Sequence, residues 1–171
     1  MARELSYRGE RPAAEKLAAL ASMGILNGES PSVPHTDMFR VTREFEFCFG
    51  HRLMDYDGKC RNIHGHNGKV CITLESDRLD RQGMLVDFVE IKRVVGTWID
   101  NTLDHTLLLQ KDDPLVKTLR AAGEKVLALD VSPTTENMAK LIYEYARDQG
   151  LPVAEVTMWE TPYSFATYRP A

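Results

Sequence analysis

The chain has 171 residues, of which 43% are hydrophobic and 27% charged, and its formal net charge is −4. This size and composition are typical of one globular domain, and without a basic surplus we expect no nucleic-acid partner. No apolar run reaches the length of a membrane span, and the N-terminus lacks the apolar core of a signal peptide. Three cysteines are too few for a disulfide framework, so we expect a cytoplasmic protein.

Residues 1–37 are predicted to be an N-terminal extension. The alanine-rich segment 11–25 has a weak helical stripe of apolar residues. Glycine, serine and proline then interrupt regular structure over residues 27–34. The sequence therefore predicts a short helix and a linker, followed by a main domain over residues 38–171.

Two strands are predicted at the start of the main domain. The first is indicated by apolar residues that alternate with mostly polar ones, namely Phe39, Val41, Phe45, Phe47 and Phe49. A polar stretch follows over residues 54–62. The second strand is predicted from about His64 to Leu74, with its apolar side chains on the same face as His64 and His66.

A helix is predicted next, because apolar residues follow helical spacing from Phe88 to Leu103. Asp87 is well placed to be its N-cap. The middle of the chain is more variable. It contains a short predicted helix over residues 115–121 and a strand-like segment over residues 125–129.

The last predicted elements are a helix and a hairpin. Ser132 as cap and Pro133 at the first helical position form a common start signal, and Gly150 is expected to end that helix. Residues 153–161 and 164–168 are then expected to pair as two strands.

Three of the five histidines fall within sixteen residues. His64 and His66 lie two apart on a predicted strand and therefore point to one face. Antiparallel pairing with the first strand would bring His51 close to them. Three neutral imidazoles leave a bound zinc ion one open position, as in catalytic sites. The alternative is that these are ordinary surface or core histidines.

Cys60 lies in the loop just before His64. Lys59 and Arg61 flank it, and positive charge beside a thiol favours the reactive thiolate. The alternative is that Cys60 is a small inert side chain. Cys48 and Cys71 lie within strand patterns and are expected to be inert.

Two acidic residues are further candidates. Asp104 precedes His105, and a neighbouring carboxylate can fix the tautomer of an imidazole that transfers protons. Glu160 lies near the end of a predicted strand. If its carboxylate is buried in a pocket, it can accept paired hydrogen bonds from an amino-pyrimidinone edge. Otherwise it is a solvated strand-end residue.

Six motifs, taken in order, resemble those of the 6-pyruvoyl-tetrahydropterin synthase superfamily. They cover about residues 38–168. The matching stretches are Phe47–Leu53, Cys60–Asn67, Gly83–Phe88, Leu103–His105, Pro133–Ala139 and Glu160–Thr161.

The resemblance implies an α+β tunnelling fold. In this fold a four-stranded antiparallel sheet carries two helices on one face, and oligomerisation closes the sheets into a barrel. Trimers or hexamers with active sites between subunits are therefore expected.

The resemblance also implies a role for each matching residue. It implies a Zn²⁺ cofactor and a small-molecule pterin substrate. It assigns zinc binding to His51, His64 and His66. It assigns the role of catalytic base to Cys60, and that of a proton-transfer pair to Asp104 and His105. Glu160 would anchor the pterin, and the pterin pocket would be lined by Thr134, Thr135 and Glu136.

Cysteine spacing indicates one branch of the family. The pattern from Cys60 to His66, Cys-x3-His-Gly-His, resembles bacterial 6-carboxy-tetrahydropterin synthases of the queuosine pathway. These are lyases that convert 7,8-dihydroneopterin triphosphate to 6-carboxy-5,6,7,8-tetrahydropterin, acetaldehyde and triphosphate. The alternatives are a 6-pyruvoyl-type activity, another pterin side-chain lyase, or a non-catalytic module that binds pterin or zinc.

The chain departs from the family pattern at two places within the main domain. Phe49 and Gly50 replace the common Ala-Ala or Ala-Ser before His51, and the bulky ring is expected to reshape the pocket mouth. The segment over residues 107–132 is also longer than in compact bacterial members.

Overall fold

A computed structural model of the protein describes residues 37–171. The short helix and linker predicted for the N-terminal extension lie outside these residues. Within residues 37–171, no helix is both long and apolar enough to cross a membrane.

Six strands form one mixed sheet. They are β1 (Phe39–His51), β2 (His64–Ser76), β3 (Thr106–Gln110), β4 (Val126–Leu129), β5 (Val153–Thr161) and β6 (Ser164–Tyr168). Their order across the sheet is β4-β3-β1-β2-β5-β6. The pairs β1–β2, β2–β5 and β5–β6 are antiparallel. The pairs β1–β3 and β3–β4 are parallel.

Four α-helical segments accompany the sheet. They are α1 (Phe88–Ile91), α2 (Thr97–Thr102), α3 (Leu115–Ala121) and α4 (Thr135–Asp148), with a π-helical turn (Lys92–Gly96) between α1 and α2 and a 3-10 turn at Lys59–Arg61. The Asp87 side chain accepts a hydrogen bond from the Val89 N–H at 2.8 Å. The predicted cap of the first helix is thus confirmed, as are the short helix over residues 115–121 and the final hairpin.

The hydrophobic core lies on one face of the sheet. Side chains alternate along each strand, so every second residue of β1, β2 and β5 points inward. These inward residues share one buried cluster with residues from α1, the π-helical turn, α2 and α4. Its central members include Phe47, Val70, Ile72, Ile91, Val95, Ile99, Met138, Ile142 and Met158.

The sheet has six strands rather than the expected four, and it is mixed rather than wholly antiparallel. Within it, β1, β2, β5 and β6 are neighbours and pair antiparallel. The difference comes from the middle segment, where β3 pairs with the end of β1. Leu108 and Leu109 are fully buried there, so apolar burial favours the added strand.

The last helix begins later than predicted. Thr134, not Ser132, is its N-cap and accepts a hydrogen bond from the Asn137 N–H at 3.4 Å. The Ser132 carbonyl accepts instead from the Thr134 N–H at 2.8 Å and from the Asn137 side chain at 2.9 Å. These side-chain and turn hydrogen bonds displace the helix start by two residues, because they use the carbonyl that a cap at Ser132 would offer to the helix.

Gly150 follows the helix end as predicted. Its φ of +85° is in the left-handed region, which glycine adopts at little cost after a helix.

Candidate functional site

The predicted histidine cluster forms where β1 and β2 meet at their ends. In the antiparallel register His51 is paired with His64, and Phe49 is paired with His66. The three imidazoles therefore project from the same face of the sheet. Their ring centroids are 4.5 Å (His51–His64), 5.1 Å (His51–His66) and 4.9 Å (His64–His66) apart.

Two backbone carbonyls fix the imidazole tautomers. Nδ1 of His51 lies 2.8 Å from the Pro133 carbonyl oxygen, and Nδ1 of His64 lies 2.8 Å from the Asn62 carbonyl oxygen. A carbonyl oxygen can only accept, so each Nδ1 carries the proton. Each neutral ring then has its lone pair on Nε2.

These lone pairs face one another. Nε2 of His51 lies 3.1 Å from Nε2 of His64, and two acceptors cannot hydrogen-bond to each other. Nε2 of His66 is buried and has no hydrogen-bond partner. A cation satisfies all three nitrogens at once, and three converging imidazoles, two of them oriented by backbone carbonyls, fit zinc.

Burial favours the metal-binding form of the imidazoles. It lowers the pKa of His51, and the Pro133 carbonyl and the Glu160 carboxylate oppose this effect. Burial likewise lowers the pKa of His66, again against Glu160. Both rings are therefore predominantly neutral near pH 7, and neutral imidazole is the form that binds a metal.

Glu160 lies at the same corner of the site. Its Oε1 is 3.1 Å from Nε2 of His51 and 3.4 Å from Nε2 of His66. It lies on β5 with the same orientation as the buried Met158, and 25% of its side chain is exposed. A carboxylate with this placement can hold a ligand beside the histidines.

The residues expected to line the pterin pocket lie at the start of α4. Thr134 uses its hydroxyl to cap the helix, Thr135 is half-buried, and Glu136 is exposed. The neighbouring Pro133 carbonyl accepts a hydrogen bond from His51, and this bond links the start of the helix to the histidine cluster.

Cys60 lies in the 3-10 turn before β2. Its carbonyl accepts a hydrogen bond from the Leu53 N–H at 2.8 Å, which closes the loop between β1 and β2. The thiol is half-buried. In the described domain, Cys60 is not part of the histidine group whose ligand atoms lie within 4.8 Å of one another.

Asp104 and His105 form a hydrogen-bonded pair outside that cluster, although His105 lines the same cavity as His64 and His66. Nδ1 of His105 lies 2.7 Å from Oδ2 of Asp104, and the Cys48 N–H donates to Oδ1 of Asp104 at 2.8 Å. The hydrogen bond from Cys48, and then that from His105, lower the pKa of Asp104. Phe47 and Phe49 point to the same face of β1 as His51, so the side chain of Cys48 between them points to the opposite face. Asp104 and His105 lie next to Cys48 and are therefore beside the face opposite to the histidine cluster.

The family is decided by comparison with known proteins. Residues 40–171 match the family described as 6-pyruvoyl tetrahydropterin synthase. The chain belongs to the 6-pyruvoyl tetrahydropterin synthase family. It is 33% identical over 135 residues to the 6-carboxy-5,6,7,8-tetrahydropterin synthase of Rickettsia felis, covering 75% of this chain and 98% of that protein. It is 29% identical over 140 residues to the Haemophilus influenzae protein of the same name, covering 77% and 99%.

Solved structures agree with this family membership. The Caenorhabditis elegans 6-pyruvoyl tetrahydropterin synthase matches with a TM-score of 0.60 and 25% identity, over 79% of this chain and 97% of that one. The predicted family resemblance and the expectation of an enzyme are thereby confirmed.

Sequence reasoning did not place Cys48 beside Asp104 and His105. Its thiol lies in a group with these two residues whose ligand atoms are all within 4.8 Å of one another. The only available signal was its strand parity, opposite to that of His51. This signal could not be used without the β1–β3 pairing, which the sequence did not predict.

Phe49 packs directly against the histidine cluster. The ring is only 4% exposed, and it lies 5.4 Å from the His51 ring and 5.5 Å from the His66 ring by centroids. It therefore supports the imidazoles from the buried side, and Phe49 also lines the adjoining cavity.

Proposed function

We propose that this chain is a zinc-dependent pterin side-chain lyase. Its substrate would be 7,8-dihydroneopterin triphosphate, and its products 6-carboxy-5,6,7,8-tetrahydropterin, acetaldehyde and triphosphate. The names of the curated relatives support this reaction. The observation that carries the proposal is the convergence of three imidazole nitrogens beside one carboxylate. The product would feed queuosine synthesis in the cytoplasm.

The proposal divides the site between a metal and a pterin anchor. His51, His64 and His66 would hold zinc, which when bound supplies a Lewis acid for the side-chain hydroxyl oxygens of the substrate. Glu160 would accept hydrogen bonds from the amino-pyrimidinone edge of the pterin. The start of α4, at Thr134 to Glu136, would form the adjoining wall.

Cys60 would remove the proton from the substrate side chain. Its thiolate is the reactive form, and Lys59 and Arg61 place positive charge on either side of it. The turn that carries Cys60 ends three residues before His64, so the proposed base and a proposed metal ligand lie on one short segment of the chain.

Asp104 and His105 would serve the active site of a neighbouring subunit. Within one chain they lie beside the opposite face of the sheet from the histidine cluster. Asp104 accepts from Nδ1–H of His105, which leaves Nε2 to take or give a proton. A homo-oligomer, a trimer or hexamer with shared sites, would bring this pair to the substrate held by another chain.

The test is to incubate the zinc-loaded protein with 7,8-dihydroneopterin triphosphate and identify the products by mass. The proposal expects 6-carboxy-tetrahydropterin and acetaldehyde. A 6-pyruvoyl product would assign the other activity of the family, and unchanged pterin would indicate a binding module.

Variants of Cys60 test the assigned base. We expect Cys60→Ala to lower turnover by about 10²- to 10⁴-fold without loss of zinc. Cys71→Ala is the matched control, because Cys71 is also half-buried and its thiol contacts Glu44 on β1. Near-normal turnover by Cys60→Ala would rule out this base.

A further inference from the structure

A second group of potential metal ligands lies beside the outer face of the sheet. It consists of Cys48 on β1 and of Asp104 and His105, which lie just before β3. One ligand atom from each residue lies within 4.8 Å of the others. None of the three belongs to the histidine cluster.

The surroundings of this group are open to solvent. The Cys48 thiol donates a hydrogen bond to Oδ1 of Asn67 at 3.2 Å, so a neutral oxygen adjoins the sulfur. Cys48 is exposed, and the side chain of His105 is 78% exposed. Cys48, Asn67 and His105 all line a cavity of about 660 Å³, which gives a hydrated ion access.

The backbone holds the ligands in place. The His105 N–H donates to the Cys48 carbonyl at 2.7 Å, and the Cys48 N–H donates to the Asp104 carboxylate at 2.8 Å. His105 adopts a left-handed conformation with φ of 52°, which is uncommon for a residue other than glycine. These contacts keep the three side chains on one side of the sheet.

We propose that Cys48, Asp104 and His105 form a second metal site, which takes a zinc-like divalent cation. A thiolate, an imidazole and a carboxylate are the donors that zinc prefers, and Asn67 or water would complete the coordination. Binding releases the thiol proton to solvent. Nδ1 of His105 and the carboxylate oxygen exchange their mutual hydrogen bond for the metal, and the imidazole proton moves from Nδ1 to Nε2 through solvent, so the ring stays neutral.

Two charged neighbours set the strength of this site. Lys125 donates a hydrogen bond to the Asp104 carbonyl at 3.1 Å, and its ammonium group repels a divalent cation. Glu124 lines the same cavity and attracts it. Solvent exposure and the lysine make this site weaker than the buried three-histidine site.

Occupancy of the second site would affect turnover, and this consequence rests on the proposed function. A cation bound to Asp104 and His105 removes the pair from proton transfer. Zinc beyond the first equivalent would therefore inhibit the enzyme.

The experiment is a cobalt(II) titration of the metal-free full-length protein, followed by absorption. The first equivalent should bind the three histidines without a thiolate-to-cobalt charge-transfer band. A second, weaker equivalent should bring that near-ultraviolet band. Cys48→Ser should remove both the band and the second equivalent, whereas Cys71→Ser and Cys60→Ser should keep them.

A second variant covers the case in which Cys48→Ser does not fold. His105→Asn retains the thiol and should weaken the second equivalent by at least about tenfold. A single equivalent in the unmodified protein, or a band that survives in folded Cys48→Ser, would overturn the proposal. Because cobalt binding needs no turnover, failure of the proposed lyase activity would leave this result unchanged.

Discussion

Oε1 of Glu160 lies 3.1 Å from Nε2 of His51, so a carboxylate and a metal-binding imidazole share one corner of the site. The same oxygen is 3.4 Å from Nε2 of His66. From this position Glu160 can either hold the pterin or become a fourth ligand of the metal. If Glu160 holds the pterin, loss of its charge should weaken substrate binding. If Glu160 is a metal ligand, loss of its charge should also weaken zinc binding.

Replacement of Glu160 by glutamine should weaken substrate binding without loss of metal. Charge-assisted hydrogen bonds contribute about 1.5–3 kcal/mol each, so we expect kcat/KM to fall by about 100-fold. The measurements are steady-state kinetics and zinc analysis of the same sample. Glu155→Gln is the control, because Glu155 lies on the same strand and pairs with Arg40. Loss of zinc together with activity would show that Glu160 is a metal ligand.

Zinc should stabilise the folded protein through the histidine cluster. Nε2 of His51 and Nε2 of His64, both acceptors, lie 3.1 Å apart, and only a cation relieves their repulsion. At a free zinc concentration about 100-fold above Kd, ligand binding should add about 2.7 kcal/mol to the free energy of unfolding. Thermal unfolding of metal-free and zinc-loaded protein measures this gain.

The stabilisation of the folded protein by zinc should depend on the imidazole of His66. His66→Ala removes a buried nitrogen that has no other partner, so zinc should raise the Tm of this variant much less. An equal rise in Tm would place the stabilising zinc elsewhere.

Mixing two inactive variants should restore activity if sites are shared between subunits. His51→Ala removes a metal ligand, and His105→Ala removes the proton-transfer pair beside the other face of the sheet. The two variants are mixed in equal amounts, unfolded and refolded together. About one quarter of the sites would then combine intact metal ligands from a His105→Ala chain with an intact proton-transfer pair from a His51→Ala chain. Turnover assays of the mixture and of each variant alone measure this. No recovery in mixed oligomers would place both halves within one chain.

The sequence predicted the parts of the site that depend on local pattern. Alternation and the two-residue spacing placed His64 and His66 on one face, and the antiparallel register brought His51 to them. The Asp87 cap and the final hairpin are likewise local features. These features follow from residue type and spacing over short stretches of the chain.

The remaining features depend on contacts between distant residues. β3 forms because Leu108 and Leu109 are buried beside β1, and only this pairing brings Asp104 and His105 to Cys48. The start of α4 shifts because the carbonyls of Ser132 and Pro133 bind partners outside the helical pattern, among them His51. Such partners are not visible in the local sequence around either residue.

Asp113→Asn should destabilise the domain near His51. Nε of Arg52, the next residue, donates to Oδ2 of Asp113 at 2.6 Å, and Asp113 is only 3% exposed. Loss of the carboxylate charge leaves a partly buried guanidinium unpaired, which should cost about 2–4 kcal/mol. Urea unfolding at neutral pH measures this. Asp130→Asn removes the exposed pair with Lys111 and should change stability little.

The same ion pair should give a distinct pH dependence. The hydrogen bond from Arg52 holds the pKa of Asp113 below its ordinary value of 3.8. Because the folded-state pKa is lower than the unfolded one, the stabilisation is fully present above pH 3.8 and is lost as the pH falls through the folded-state pKa. The difference in stability between the unmodified protein and Asp113→Asn should therefore be constant near neutral pH and shrink below pH 3.8. A difference that grows in acid would contradict this assignment.

Phe49 and Gly68 should be coupled, because the ring occupies the space where a side chain at position 68 would begin. A Cβ on Gly68 would lie 2.8 Å from Cε1 of Phe49 and 2.6 Å from Cε of Met158. We expect Gly68→Ala to cost about 1–3 kcal/mol through overpacking, and Phe49→Ala about 3–5 kcal/mol through the cavity it leaves. Gly58→Ala is a suitable control, since the three atoms nearest to its Cβ all belong to the ring of the exposed Tyr56, which can move into solvent.

The double variant Phe49→Ala/Gly68→Phe decides whether the two positions share one space. An aromatic ring at position 68 can fill the cavity left by Phe49, so the double variant should be more stable than Gly68→Phe alone. The coupling free energy should be at least about 1 kcal/mol. Urea unfolding of all four proteins gives this value, and zinc binding by Phe49→Ala should weaken because its ring supports His51 and His66 from below. Additive losses across the cycle would show that the ring and the glycine act independently.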